Sequence, residues 1–291
     1  MPEKWKKMTV FAPAKVNLHL LVKDRRQDGF HNIKSIFLAV DWGDTVIFTP
    51  LEGENTAEIT MEGGAESFSI PIGKNIVFRA LSLFREKTGF SQGLKITVEK
   101  RIPIGGGLGG GSSNAAAVLL TLNKIAGNPL GLNALLEMGA VLGSDVPFFL
   151  HETAAARVTG RGEHIEPIEI PRFFLVLVNP GFSSDTAVAF KLLDEYRAKG
   201  YEDTGSRRTG NIDTFDFCND FLPVFKAPEK MAYDKIISSL RESGALFANL
   251  SGAGSTCFGV FREKEQALKA AELLRADWEF VQCCCMFKSV N

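Results

Sequence analysis

The N-terminal part of the chain begins with residues that alternate between apolar and polar side chains. From Val16 onward the apolar residues fall on every second position, and Lys15, Asn17 and His19 lie on the alternate positions. Successive side chains on a strand point to opposite faces, so this period of two predicts a half-buried strand over residues 9–23. Further strand-like runs, separated by Gly, Pro and Asn, follow at residues 35–41, 44–49, 57–61 and 67–70.

Other stretches have the period of an amphipathic helix. In residues 75–87 the apolar positions recur every three or four residues, and the pattern stops at Gly89, as helices commonly do at glycine. Helices are also predicted after the glycine-rich stretch that ends at residue 111 and at 132–142, 186–197, 228–242 and 263–275. Strands are predicted at 94–101, 154–159, 173–178, 247–250, 256–261 and 279–287. The polar segment 198–214 has no period and predicts an exposed loop.

The order of these elements predicts an α+β fold in two domains. Residues 159–163 are polar and rich in glycine, which predicts a flexible link. We therefore place the boundary within residues 160–170, with domains at 1–165 and 166–291. A length of 291 residues supports this division, because single hydrophobic cores rarely extend over so long a chain.

Composition and charge narrow the classes of function. A hydrophobic fraction of 45% and a charged fraction of 23% are those of an ordinary globular protein. The formal net charge of −1 gives no electrostatic basis for binding nucleic acid or an anionic membrane. Since the chain has neither an apolar run of roughly 20 residues nor a signal-like N-terminus, a cytoplasmic protein is expected. The five cysteines have no zinc-like spacing and are expected to be reduced.

The most unusual stretch of the sequence is KRIPIGGGLGGGSSNAAAVLL, residues 100–120. Six of the seven residues from Gly105 to Gly111 are glycine, and the run after them is a good helix former. Glycine lets the backbone approach a ligand closely, and a helix N-terminus offers unpaired N–H groups and the positive end of the helix dipole. The stretch therefore predicts a phosphate-binding loop that leads into a helix.

Two familiar phosphate loops fit this stretch poorly. The spacing Gly105-x-Gly107-x-x-Gly110 matches the dinucleotide fingerprint, but no acidic residue ends a second strand about 20 positions later. A Walker A loop needs Gly-Lys-Ser/Thr after the glycines, and that lysine is missing from the sequence. The sequence leaves open whether Ser112 and Ser113 cap the helix, bind phosphate or ligate Mg²⁺.

Two charged residues are candidates for the chemistry. Asp145 lies between a glycine that ends a predicted helix and an apolar run, a place where Asp is also an ordinary turn residue. Lys15 lies on the polar face of the first predicted strand, where a solvated lysine is equally ordinary. Neither residue identifies a function by itself.

Three segments together resemble the motifs of the GHMP small-molecule kinases. They are PAKVNL at 13–18, IPIGGGLGGGSSNAA at 102–116 and LSGAGS at 250–255, in the order and spacing of that family. Within the family, three further segments resemble the members that act on a cytidine diphosphate alcohol. These are DGFH at 28–31, GSDVPFF at 143–149 and NDF at 219–221.

The resemblance implies both a fold and a reaction. The N-terminal domain is expected to be like domain 2 of ribosomal protein S5 and the C-terminal domain to be ferredoxin-like, with the active site in the cleft between them. The implied reaction transfers the γ-phosphoryl of ATP, with Mg²⁺, to the 2-hydroxyl of 4-diphosphocytidyl-2-C-methyl-D-erythritol (CDP-methylerythritol) in non-mevalonate isoprenoid biosynthesis. The alternatives are another GHMP kinase, of the homoserine or mevalonate type, and a catalytically inactive nucleotide-binding regulator. A small-molecule substrate is the expected partner, and a monomer or weak homodimer is the expected state.

The resemblance also implies roles for individual residues. Asp145 is expected to be the base for the acceptor hydroxyl, and Lys15 to keep it ionised and to stabilise charge that develops on oxygen. The implied ATP-binding residues are Asn75, Pro103, Gly105, Gly106, Gly107, Leu108, Gly109, Gly110, Gly111, Ser112 and Ser113. The implied substrate-binding residues are Asn17, Phe30, His31, Thr186 and Phe190.

The implied substrate residues form a pocket for cytosine. His31 is expected to hydrogen-bond the edge of the base, with Phe30 and Phe190 as aromatic platforms, and such stacking is typically worth about 1–3 kcal/mol. The family often has tyrosine in place of Phe30, so a hydroxyl contact is lost here. Thr186 lies one helical turn before Phe190 and is expected to line the same pocket, although packing of the helix explains both residues too. Asn75 begins the first predicted helix, and capping explains it nearly as well.

Overall fold

The structure, a computed structural model, describes residues 5–63, 66–67, 71–200 and 208–288. The strands are β1 (Met8–Arg25), β2 (His31–Pro50), β3 (Ala57–Gly63), β4 (Glu66–Ser67), β5 (Leu94–Glu99), β6 (Ala155–Gly160), β7 (His164–Pro167), β8 (Phe174–Asn179), β9 (Phe247–Leu250), β10 (Cys257–Phe261) and β11 (Phe280–Cys285). The helices are α1 (Ile76–Thr88), α2 (Gly110–Ile125), α3 (Leu132–Leu142), α4 (Val146–Leu150), α5 (Thr186–Ala198), α6 (Glu229–Glu242) and α7 (Lys264–Leu274). Among these described helices, none has the length and apolar character needed to cross a membrane.

The chain divides into two compact units, and each is built from several segments. The first unit consists of the residues up to Ala14, Gly43–Ile102 and Gly109–Glu152. The second consists of Lys15–Trp42, Pro103–Leu108 and the residues from Thr153 onward. Strands β1 and β2 and the glycine stretch therefore each pass from one unit into the other. The domains 1–165 and 166–291, which divide the chain at one point, stay a prediction.

The first unit contains a sheet of mixed direction and the helices α1 to α4. The C-terminal half of β2 pairs antiparallel with β5, with Val46 opposite Val98, and β5 pairs parallel with β3, with Ile59 opposite Ile96. Helix α2 contacts α1, α3 and α4, and its small residues 115–117 are buried. Small side chains let helices approach closely, so the alanines after the glycines make α2 the central helix of this unit.

In the second unit, strands β8 to β11 form an antiparallel sheet in the order β11-β8-β10-β9. Along the chain, α5 and α6 connect β8 to β9, and α7 connects β10 to β11, which is the split βαβ arrangement of ferredoxin-like folds. Tyr233 and Ile236 of α6 and Ala267 and Ala271 of α7 are buried in its core. The predicted ferredoxin-like C-terminal fold is confirmed. The N-terminal half of β2 also lies in this unit and pairs with β6, which pairs with β7.

Two predictions about local structure are wrong. The runs 35–41 and 44–49, predicted as separate strands, form one strand, β2. Gly43 in its middle allows this, because a Cβ there would lie 2.1 Å from the carbonyl oxygen of Ala12 and would push β2 away from β1. The flexible link predicted at 159–163 is a tight turn in the β6–β7 hairpin, where Arg161 N donates to the carboxylate of Glu163.

Two other predictions fall partly outside the described residues. Of the strand predicted at 67–70, residues 68–70 lie outside, and of the loop predicted at 198–214, residues 201–207 lie outside. In the described end of that loop, the carboxylate of Asp216 accepts hydrogen bonds from Arg208 and from the N and Oγ1 of Thr209. These contacts give the loop a local framework, and they assign it no chemical role.

Candidate active site

The part of the glycine stretch that belongs to the second unit is held through its carbonyl groups. Four consecutive carbonyl oxygens accept hydrogen bonds from other segments of this unit. The pairs are Ser184 N to Gly105 at 3.0 Å, Thr256 N to Gly106 at 3.1 Å, Ser251 Oγ to Gly107 at 2.9 Å and Lys15 N to Leu108 at 3.0 Å. Within the stretch, Gly106 N donates to Pro103 O at 3.3 Å. Because Ser251 belongs to the LSGAGS segment and Thr256 directly follows it, the third motif supports the second.

Gly107 is a position where the loop itself requires glycine. Its φ is +74°, a conformation that other residues rarely adopt. A Cβ there would also lie 2.2 Å from the carbonyl oxygen of Ser251 and 2.8 Å from that of Gly254. The requirement at this residue therefore comes from packing within the loop, before any ligand is considered.

Helix α2 starts directly after the loop and is not capped by a side chain. Gly109 is the N-cap, in the left-handed conformation with φ of +70°, and Gly110 is the first helical residue. Ser112 and Ser113 lie inside the first turn, so the reading that they cap the helix is wrong. The first N–H groups of a helix have no intrahelical partner, and Ser113 Oγ is buried with no hydrogen-bond partner in the described part of the chain. The helix start thus offers backbone donors and one hydroxyl to an anionic ligand.

A lysine does lie at this helix start, although the chain carries it before the glycines. The Nζ of Lys100 is 3.1 Å from the place that a Cβ of Gly110 would occupy. It forms an ion pair with Asp44, which is fully buried. The sequence reasoning searched for a lysine only after the glycines and missed both residues. The Lys-Arg pair immediately before the loop was the available signal.

Lys15 and Asn17 contact each other on β1. Lys15 is 3% exposed, and its Nζ donates to Asn17 Oδ1 at 2.6 Å. The same Nζ lies 4.7 Å from the centroid of the Phe37 ring, and Asn17 Nδ2 donates to Ser35 Oγ at 3.0 Å. These contacts hold the ammonium group at a fixed place, as a residue that stabilises developing charge requires.

His19 continues the same face of β1 and adds no positive charge at neutral pH. Its Nδ1 accepts a hydrogen bond from Cys218 N at 3.2 Å. Burial, and next the nearby charge of Lys34, lowers the pKa of the His19 imidazole to about 4. His19 is therefore neutral when the protein is near pH 7.

Asp145 lies in the first unit, at the start of α4. It is half-buried, has φ of −88° and ψ of −10°, and makes no capping hydrogen bond to the helix. Val146 N donates instead to Gly143 O at 3.1 Å, which closes a turn between α3 and α4. The segment is therefore a turn, one of the two readings that the sequence left open. The catalytic role of Asp145 stays a prediction.

His31 and Phe190 lie together in the second unit. Their rings are stacked, with centroids 4.9 Å apart and 13° between the planes. His31 Nε2 is 2.9 Å from Oδ1 of Asp194, which lies one turn after Phe190 on α5. The sequence reasoning missed Asp194, and its spacing of four from Phe190 was the available signal. His31 is thus oriented by two residues of the same helix.

Phe30 and Thr186 make different contacts. Phe30 is 51% exposed, and the guanidinium of Arg161 lies 5.0 Å from the centroid of its ring. Thr186 is the exposed first residue of α5, which is capped by Asp185. The place of both residues in a cytosine pocket stays a prediction. A base that stacks on Phe30 must share the ring with Arg161 or displace it.

Asn75 caps α1, because its Oδ1 accepts a hydrogen bond from Val77 N at 3.0 Å. The capping alternative is therefore confirmed, and a contact of Asn75 with the nucleotide stays a prediction. Within the described ranges, no cluster of three or more His, Cys, Asp or Glu side chains could hold a metal ion. The ligands of Mg²⁺ were left open by the sequence and are treated with the proposed function.

Comparison of sequences relates the chain to known proteins over nearly its full length. The family described as GHMP kinases N terminal domain matches residues 75–153, and the family described as GHMP kinases C terminal matches residues 227–279. A curated relative from Thermodesulfovibrio yellowstonii, named 4-diphosphocytidyl-2-C-methyl-D-erythritol kinase, is 36% identical over 284 residues. The match covers 93% of this chain and 95% of the relative.

Comparison of structures gives a consistent result. A crystal structure of a 4-(cytidine 5'-diphospho)-2C-methyl-D-erythritol kinase has a TM-score of 0.73 and 29% identity, and covers 97% of this chain and 100% of its own. A homoserine kinase from Cytophaga hutchinsonii has a TM-score of 0.65 at 17% identity, covers 99% of this chain and 96% of its own, and shares the fold alone. The predicted α+β fold, with the N-terminal and C-terminal domains of a GHMP kinase, is confirmed.

Proposed function

The chain belongs to the GHMP kinase family, and on that premise we propose that it transfers the γ-phosphoryl of ATP to the 2-hydroxyl of CDP-methylerythritol. The products are the 2-phosphate and ADP, as a step of non-mevalonate isoprenoid biosynthesis. The choice of acceptor is supported by the curated relative that is named as a CDP-methylerythritol kinase and is 36% identical to the chain. The homoserine kinase is only 17% identical.

The observation that carries the proposal is the start of α2. Gly109 is the N-cap, in a left-handed conformation and with no side-chain capping hydrogen bond. The first N–H groups of the helix have no intrahelical partners and are available to a ligand. The helix dipole adds a partial positive charge at the same place. We assign this helix start to the phosphates of ATP, and residues 105–111 to the loop that surrounds them.

Mg²⁺ is part of the same proposal. When bound, it neutralises charge on the phosphates during transfer. The Oγ of Ser113 fits such an ion or a phosphate oxygen, because it is a buried hydroxyl without a hydrogen-bond partner in the described part of the chain. Ser112, its neighbour in the same turn, is the second candidate.

Lys15 and Asp145 are proposed to act on the acceptor hydroxyl. The hydroxyl oxygen forms a bond to the γ-phosphorus while the bond from that phosphorus to the bridging oxygen of ADP breaks, and the hydroxyl proton passes to the Asp145 carboxylate. The positive charge of Lys15 is assigned to stabilise negative charge that develops on oxygen during transfer. Since the transition state of phosphoryl transfer is loose, positioning and charge neutralisation supply most of the rate. Asn17 contributes by holding the Lys15 ammonium.

The cytidine end is assigned to His31, Phe190, Phe30 and Thr186. A neutral imidazole whose Nε2 is bound to a carboxylate carries its proton on that nitrogen, so Asp194 leaves Nδ1 of His31 as an acceptor. An acceptor complements the amino group of cytosine and repels the carbonyl oxygen that uracil has in its place. The pair therefore favours a cytidine substrate.

The test is an assay of ADP release with the full-length chain, ATP and Mg²⁺. CDP-methylerythritol, mevalonate and homoserine are supplied separately, and we expect turnover only with the first. Preferred phosphorylation of mevalonate or homoserine would overturn the choice of acceptor. ADP binding without turnover on any acceptor would favour a nucleotide-binding regulator instead.

A substitution at Asp145 tests the assignment of the base. Asp145→Asn is expected to abolish turnover and to leave ADP binding within about twofold, because the phosphate contacts come from the start of α2. Equal loss of turnover and ADP binding would show that Asp145 is misassigned. The cytoplasmic location and the monomer or weak homodimer remain predictions from the sequence.

A further inference from the structure

Asp44 is a fully buried carboxylate, and both of its oxygens are used. Oδ1 accepts hydrogen bonds from Arg101 N at 2.7 Å and Ile102 N at 2.9 Å. Oδ2 accepts from Asn114 Nδ2 at 2.9 Å and forms the ion pair with Lys100. A carboxylate has about four acceptor positions, so these four donors satisfy it. With an exposed fraction of 0%, Asp44 cannot reach a ligand itself.

The partners of Asp44 lie on both sides of the glycine stretch in the sequence. Arg101 and Ile102 follow the end of β5 and immediately precede Pro103, where the loop begins. Asn114 lies one turn into α2, and its Oδ1 accepts from Lys100 Nζ at 3.2 Å. Asp44 therefore ties the backbone that enters the loop to the helix that leaves it.

Asp44 and its partners Lys100, Arg101, Ile102 and Asn114, here called the Asp44 cluster, also determine the charge at the helix start. The ammonium of Lys100 lies beside Gly110, where the helix dipole is positive and a bare cation is unfavourable. Asp44 supplies the compensating negative charge at contact distance. Without Asp44, the Lys100 ammonium beside the first turn of α2 would lose this ion pair, and an unpaired buried charge destabilises the structure around it.

We propose that Asp44 is a positioning residue for nucleotide binding. Through Arg101, Ile102 and Asn114 it fixes the end of β5 relative to the first turn of α2, so that the N–H groups at the helix start stay aligned toward the phosphates. This rests on the proposed function in one respect, namely that the start of α2 binds the phosphates of ATP.

Two asparagines on α2 provide a matched pair of variants. Asn114→Ala removes the link between the helix start and the Asp44 cluster, which consists of two side-chain hydrogen bonds. Asn123→Ala removes two side-chain hydrogen bonds to Leu130, of 2.9 and 3.0 Å, near the other end of the helix. Both residues are buried, so both variants are expected to lower the melting temperature.

The two variants should differ in nucleotide binding. We expect Asn114→Ala to weaken ADP binding and to raise KM for ATP by about tenfold, the equivalent of one charge-assisted hydrogen bond, with KM for CDP-methylerythritol within about twofold of wild type. Asn123→Ala should leave all three constants within about twofold. A purely structural role for the cluster predicts instead a fall in melting temperature alone.

Asp44→Asn extends the test to the residue itself. Its NH₂ group replaces one acceptor oxygen and so faces either the backbone donors or the Asn114 and Lys100 donors, and the negative charge is lost. ADP affinity should therefore fall at least as far as in Asn114→Ala when measured well below the melting temperature. If Asp44→Asn does not fold, the comparison of ADP affinity between Asn114→Ala and Asn123→Ala still tests the positioning role.

The outcomes separate the two proposals. Equal ADP affinities in the two asparagine variants would overturn the positioning role while leaving the kinase function intact. Failure of the wild-type chain to bind ADP would overturn the proposed function, and the positioning role with it.

Discussion

His19 should make the free energy of unfolding depend on pH between about pH 4 and pH 6.5. Its side chain is 1% exposed, and Nε2 is buried without a hydrogen-bond partner in the part of the chain that the structure describes. Burial, with smaller contributions from the charges of Lys34 and Lys23, lowers the pKa of His19 from 6.5 to about 4, and the charge of Asp216 partly opposes this shift. The native state therefore holds this imidazole neutral where the unfolded chain would protonate it.

The size and sign of the effect follow from the two pKa values. Because the unfolded chain binds a proton that the native state does not, stability falls as the pH decreases below 6.5, and the loss is complete near pH 4. One pKa unit corresponds to about 1.4 kcal/mol. The free energy of unfolding is therefore lower than at high pH by about 1.4 kcal/mol at pH 5.5 and by about 2.5 kcal/mol at pH 4.5. Above about pH 7.5 the contribution of His19 no longer changes.

His19→Asn is the matched variant for this measurement. Its Oδ1 can accept the hydrogen bond from Cys218 N, and it does not titrate. Urea unfolding of both proteins at pH 7.5, 5.5 and 4.5 should show that the wild type loses about 2.5 kcal/mol more than the variant between the extremes. Parallel pH dependence in the two proteins would refute the reasoning, and so would a wild type that gains relative stability in acid.

Three further predictions concern the glycine loop, the cytosine pocket and the support of the third motif. Gly107→Ala should lower the free energy of unfolding by about 2 kcal/mol or more and weaken ADP binding, because the residue has a left-handed conformation and its Cβ would lie 2.2 Å from Ser251 O. Unchanged ADP affinity would show that the loop accommodates the methyl group without disturbing the binding site. Asp194→Asn should reduce the preference in kcat/KM for the cytidine over the uridine form of the substrate by about tenfold, because an amide can donate to Nε2 as well as accept from it and so no longer confines the proton of His31 to Nε2. An unaltered preference would remove His31 from base recognition. Asn219→Ala should cost about 1–3 kcal/mol in urea unfolding, because its side chain bonds the carbonyl groups of residues 250 and 252 at 2.8 Å each. A loss below about 0.5 kcal/mol would contradict that support.

Much of the local structure was predictable from the sequence. The alternation around Lys15 and Asn17 predicted β1, and the glycine at residue 89 ended α1 as expected, with φ of +72°. The two errors in strand and link assignment both occurred at glycine-containing turns or junctions, where the outcome depends on contacts made by other segments. At Gly43, for example, the absence of a Cβ lets Ala12 O approach closely, so that the strand continues beside β1.

The candidate site was predictable only in part. The glycine loop was found from residue type and spacing, whereas Lys15 and Asn17 were assigned to the site through the resemblance to the GHMP kinases. Asp44, Lys100 and Asp194 were missed, because each is an ordinary charged residue until its partner is known. The pairing of His31 with Asp194 spans 163 positions of the sequence, and its one local signal is the spacing of four between Phe190 and Asp194.

The sequence by itself determined where strands and helices form and where a phosphate loop meets a helix. It could do so because hydrophobic period, helix propensity and the freedom of glycine act over a few neighbouring residues. Only the tertiary structure decided what holds that loop in place. Ser251 supports Gly107 from 144 positions away, and Asp44 reaches Asn114 across 70. Such contacts depend on which segments pack together, and the burial of Asp44 shows the reason: a carboxylate is stable without water only where the fold brings it enough donors.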